Sequence, residues 1–231
     1  MLGSGTLAMA WGLGVGIIIV MAIFIFVGAI IMREAATQRF WRRKVEEGDL
    51  EMITQLVQSD VERWRSERPP KGVPAAVWQG VQGVELIAID RDYIHASTTA
   101  EPQFAFVGGA RKQVTSSLDE AKRIVALLAE RFFYDIAHVR AERVQIDCYS
   151  TFHEQGGAAG QRCILTIVAH RSDATAIDWD GDSPEVIAEQ LGARYQQDER
   201  GDALPIEPDA EAARPSTNGS RHENAFQRPG T

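Results

Sequence analysis

Residues 144–152, V-Q-I-D-C-Y-S-T-F, and residues 163–170, C-I-L-T-I-V-A-H, decide the fold class. Both runs are rich in β-branched and aromatic residues, and the stretch E-Q-G-G-A-A-G-Q between them suits a hairpin loop. They read as two neighbouring strands of one sheet. Just upstream, Ser117 with Glu120 forms a capping box that opens a helix running to about Tyr134. Its Leu118, Ala121, Val125, Leu128 and Phe132 share one face, and that face needs a sheet to cover it. Farther upstream, Val84 to Asp90, Tyr93 to Thr98 and Phe104 to Val107 read as short strands, the first two joined by an Arg-Asp turn. Downstream, Ser183-Pro184-Glu185 supplies a cap, a first-turn proline and an acidic first turn for a helix running to about Tyr195. Short connections between adjacent strands favour antiparallel pairing. The expectation is an α+β domain over residues 73–196, a two-layer sandwich of a mainly antiparallel sheet with helices on one face.

The chain outside that domain has a different character. No charged side chain occurs from Met1 to Met32, and the twenty residues from Leu13 to Met32 would span roughly 30 Å as a helix, the thickness of a hydrocarbon core. The basic residues Arg33, Arg39, Arg42, Arg43 and Lys44 follow the apolar run instead of preceding it, which disfavours a signal peptide. Such a cluster stays on the cytoplasmic side. The expected layout is a short translocated N-terminus (1–10), a transmembrane helix (11–32) and a basic juxtamembrane and helical segment (33–68). The folded domain would then be cytoplasmic, on a single-pass protein of the cell membrane, with a disordered polar tail from 197 to 231.

Two features point to association with another membrane protein or with a second copy. Gly12 and Gly16 form a small-xxx-small pair, which lets helix backbones approach closely in lipid. Beyond a Gly48-Asp49 break, Leu50, Ile53, Val57, Val61 and Trp64 recur at spacings of three and four until Pro69-Pro70 ends the helix. This stripe either packs on the protein's own domain or meets a partner. With Gly12 and Gly16, residues Ile53, Val57, Val61 and Trp64 make up the expected interaction surface.

Composition narrows the function classes. The net charge is −8, and acidic residues outnumber basic ones within 72–196, so the phosphate-neutralising surface that nucleic-acid binding requires is missing. The two cysteines, Cys148 and Cys163, lie in apolar runs and read as buried free thiols in a reducing compartment. Asp90, Asp92 and His95 cluster in I-D-R-D-Y-I-H, yet aspartates flanking an arginine suit a solvated turn. Asp178, Asp180, Asp182 and Glu189 mimic part of a calcium loop, but Ser183 stands where that loop needs glycine. Asp147, Cys148, His153, Cys163 and His170 lack the spacing of a zinc site. No catalytic set and no cofactor is therefore expected. The sequence favours a membrane-anchored interaction module, with a tethered enzyme holding a dispersed acidic and histidine site, or a ligand-sensing domain, as alternatives.

Overall fold

The computed structural model describes residues 21, 23–33, 37, 39–45, 47–153 and 159–209. The chain divides into two compact units, Met1–Gly48 and Asp49–Thr231. In the first, residues 23–33 are helical, and Phe24, Ile25, Phe26, Ile31 and Met32 all stand exposed. Among the described residues no helix is long and apolar enough to cross a membrane. The first ten residues of the expected span, Gly12 and Gly16 among them, lie outside the described residues.

The second unit opens with helix α1 (Leu50–Ser66), where the Asp49 side chain accepts from the Met52 N–H. The stripe, read above as packing on the protein's own domain or meeting a partner, is spent inside the unit: Ile53, Val57, Val61 and Trp64 are all buried, and the Trp64 ring meets Phe132 edge-on at 5.3 Å. This part of the expected interaction surface is corrected accordingly, because an apolar face already covered by the protein's own core is not available to a second protein. The domain consequently begins at Asp49, not at residue 73. Helix α2 (Ala75–Gln82), absent from the sequence reading, follows the two prolines, and its Trp78 indole N–H donates to the Glu67 carbonyl. Gly80 lets α2 approach closely, since a Cβ there would fall 2.3 Å from Ile124 Cδ1.

Strands β1 (Glu85–Ile89) and β2 (Tyr93–Thr99) pair antiparallel, as expected, with a bulge between Leu86 and Ala88. Strands β3 (Gln103–Val107) and β4 (Ala110–Thr115) form a separate two-stranded hairpin. Its turn uses Gly108 and Gly109, both at positive φ. Helix α3 (Ser117–Tyr134) is capped by Ser116, one residue earlier than the capping box implied, and Leu118, Ala121, Val125, Leu128 and Phe132 are all buried. Strand β5 (Arg143–His153) lies beside β2 and runs parallel to it, because the intervening hairpin and helix return the chain to the same end of the sheet. Strand β6 (Ala159–His170) pairs antiparallel with β5.

The single turn α4 (Arg171–Ala174) leads to α5 (Pro184–Gln190), capped by Ser183 as expected but ended early by Gly192 at φ +75°. The chain does not leave the fold at Gln197. Strands β7 (Arg194–Gln197) and β8 (Ala203–Leu204) extend the sheet to the order β1-β2-β5-β6-β7-β8, and the Ile206 N–H donates to the Cys163 carbonyl. The expected disordered tail from 197 thus has its first thirteen residues built into the domain; residues 210–231 lie outside the described residues. The result is an α+β fold with a mainly antiparallel sheet.

Candidate functional site

Alternation along the central strands sorts their side chains onto two faces. On β2 and β5, Ile94, Ala96, Val144, Ile146 and Cys148 are buried, and Thr98 on the same β2 face donates to the Gly80 carbonyl of α2 at 2.6 Å. The opposite face carries Tyr93, His95 and Ser97 beside Arg143, Gln145 and Asp147, paired in register across the parallel ladder. These residues are also largely removed from water: His95 is 8% exposed, Asp147 3% and Gln145 0%. Polar side chains in such a place must find partners or carry a desolvation penalty.

They form one connected network. The Tyr93 hydroxyl donates to Gln145 Oε1 at 2.6 Å, and Gln145 Nε2 donates to both Asp147 oxygens at 3.2 and 3.3 Å. Thr166 of β6 donates to Asp147 Oδ1 at 2.6 Å, and His95 Nε2 lies 2.7 Å from Asp147 Oδ2. Gln145 also donates to the Asp209 carbonyl, so the chain beyond β8 closes one side of the cluster. Burial pushes the Asp147 carboxyl up, but the hydrogen bonds from His95, Thr166 and Gln145 outweigh it and hold the group below its ordinary value. Burial is also the main reason that the Tyr93 phenol is pushed up to about 12.

An ionised carboxylate only accepts, so the proton on the shared His95–Asp147 bond belongs to His95 Nε2; this tautomer is assigned from the network. In the neutral ring Nδ1 is then a lone-pair acceptor, and it is buried without a partner. A cavity of about 410 Å³ is lined by Glu85, His95, Ser97, Thr99, Asp147 and Tyr149 among others. The lining is polar and carries two carboxylates, which suits a small ligand offering hydroxyl or ammonium donors. Asp147 orients the imidazole as a carboxylate orients a general base. Among the described residues no hydrogen bond joins His95 to Ser97. A second cavity, of about 480 Å³, lies between α2, α3 and α5 and is lined largely by apolar groups such as Val73, Val77, Leu127 and Ile187.

The other sequence candidates separate. Asp90 caps the tight turn between β1 and β2, its side chain accepting from the Arg91 N–H, while the Asp92 carbonyl accepts from Glu142 and Arg143. Of that trio only His95 enters the site. Asp178 folds back on the Gly181 N–H and Asp182 accepts from Gln190, so with Asp180 and Glu189 they make no ligand cluster; among the described residues no group of three or more metal-binding side chains converges. Cys148 and Cys163 are buried free thiols, and burial raises both, Cys163 to about 11. Comparison with known proteins returned no match: no family model, no curated protein and no solved structure is similar to this chain.

The sequence reading missed the pairing of His95 with Asp147, which stand 52 positions apart. A signal was present. Tyr93, His95 and Ser97 alternate with Ile94 and Ala96 on one strand, and Gln145 and Asp147 alternate with apolar residues on another. That alternation normally marks a solvated face, and only the neighbour relation of β2 and β5 turns it into a buried cluster.

Proposed function

We propose that this chain is a single-pass membrane-anchored protein whose folded unit, on the cytoplasmic side, binds a small polar ligand over the His95–Asp147 pair. The observation that carries the ligand reading is the unpartnered Nδ1 of His95, a residue that lines the 410 Å³ polar cavity. Three buried side-chain polar atoms among the described residues lack a partner: Trp64 Nε1, His95 Nδ1 and Glu120 Oε2. Of these, only the His95 ring lines one of the two cavities described above. A ligand hydroxyl or ammonium donating to Nδ1 would complete the network. The anchor reading is supported by the uncharged stretch to Met32, the basic cluster after it, and the exposed apolar side chains of helical residues 23–33. Ligand sensing fits this arrangement better than a partner-binding module, because the stripe that would have served a partner is spent in the core.

Imidazole-labelled protein tests this directly. The chain has five histidines, and His95→Gln assigns the signal of interest. Long-range nitrogen–proton spectra should show His95 with its proton on Nε2 and a bare Nδ1. A panel of small polyols, amines and amino alcohols should then yield compounds that raise the melting temperature of the wild type but not of His95→Phe. A proton on Nδ1, or compounds that protect both proteins equally, would refute the assignment.

A further inference from the structure

The β3–β4 hairpin is the part of the second unit whose exposure the fold does not explain. It belongs to no larger sheet, and Phe106 is 81% exposed, with Phe104, Val107 and Val114 exposed beside it. Register places Phe106 opposite Arg111, and alternation puts Phe104 on the same face, where the Arg111 guanidinium lies 4.0 Å from the Phe104 ring centre. Residues 103–115 contain Arg111 and Lys112 and no acidic residue, within a chain of net charge −8. A local basic island that also presents two phenylalanines has the composition of a surface that inserts rings at the headgroup level of an anionic bilayer.

From this charge complementarity we infer that the hairpin's Phe104–Phe106–Arg111 face docks on an anionic bilayer surface. A second copy of the chain fits less well, since an isologous contact through this face would set Arg111 against its own copy. The Gly108-Gly109 turn adds no side chain at the tip. The inference rests on the anchored reading only in that the anchor keeps a bilayer within reach.

The full chain in lipid nanodiscs provides the test. Cys148 and Cys163 are buried, so Phe106→Cys supplies the one accessible thiol among the described residues for an environment-sensitive nitrobenzoxadiazole label. In phosphatidylcholine–phosphatidylglycerol discs the label should blue-shift and be quenched by lipids carrying a nitroxide on the upper acyl chain. Discs of phosphatidylcholine alone should show much weaker quenching. Replacing Arg111 and Lys112 with Gln should lower the docked-to-free ratio on the order of thirtyfold, from about one kilocalorie per basic residue near an anionic surface. A label that stays water-exposed and unquenched in anionic discs overturns the docking. So does quenching that ignores both lipid charge and the Gln pair, or a label that is instead protected by cross-linking to a second copy. A chain that never enters the discs would mean the anchor itself had failed, a result distinguishable from an undocked hairpin on an inserted chain.

Discussion

Asp147→Asn is the most informative single change in the domain. The carboxylate accepts short bonds from His95 at 2.7 Å and Thr166 at 2.6 Å, and two longer ones from Gln145. The amide keeps the shape but turns one oxygen into a donor. Turned toward Thr166, it relies on the hydroxyl rotating to accept; turned toward His95, it relies on the ring moving its proton to Nδ1. Either way both short bonds lose their charge assistance, worth about half the strength of each, and the expected loss is about 2–3 kcal/mol near neutral pH. The sign of the pH dependence follows from the lowered Asp147 value. A carboxyl depressed in the folded state stabilises fully above its unfolded value, about 3.9, and that contribution is lost as pH falls through the folded one. The gap between wild type and Asn should therefore hold from pH 7 to about 5 and close below about 4. Urea unfolding of the 49–209 fragment, followed by tryptophan fluorescence across this range, measures it. A gap under about 0.5 kcal/mol at pH 7, or one that stays constant into acid, would show that Asp147 is not the charged centre of the network.

Three further outcomes are expected. Phe132→Ala empties a fully buried site against the Trp64 ring and should lower stability by about 3–5 kcal/mol in chemical denaturation; under about half a kilocalorie would remove Phe132 from the core. A fragment of residues 73–196 should be markedly less cooperative in thermal unfolding than 49–209, because it lacks Ile53, Val57, Val61 and Trp64 on one side and β8 with Ile206 on the other; equal transitions would return α1 to the status of a linker. For the anchor, a cysteine at Gly3 should react with an impermeant maleimide in intact cells and one at Asn218 only after lysis; the reverse pattern would invert the topology.

The fold was legible where local rules act alone. The Gly48-Asp49 break is where α1 opens, Ser183 caps the helix it was expected to cap, and the faces of α1 and α3 follow their three-and-four spacing into the core. What escaped depends on distant partners. Strand β7 reads R-Y-Q-Q, with no apolar alternation, and becomes a strand because β6 offers a free edge at Leu165 and Thr166. Helix α2 contains Gly80 in its interior, a poor helix residue on propensity, retained because Ile124 leaves no room for a side chain. The amphipathic face of α1 was visible, but its destination was not, since an apolar stripe looks the same whether it meets Phe132 or a second protein.

The same ambiguity, in reverse, governs the site. A buried carboxylate–imidazole pair in the middle of a sheet is weak evidence for stability, because well-packed apolar residues of similar volume often stabilise as well or better. A network kept only for specificity of folding would have every member satisfied, as Tyr93, Gln145, Asp147 and Thr166 are. His95 breaks the pattern at one atom, and its ring lines a cavity that Ser97, Thr99 and Glu85 make largely polar, with Ile87 among the lining side chains. An apolar void would stay dry and leave Nδ1 permanently unpaired, whereas a polar one admits a donor. The place where the polar network is left incomplete is thus the place where the protein offers room to complete it, and this coincidence distinguishes a binding site from a structural core.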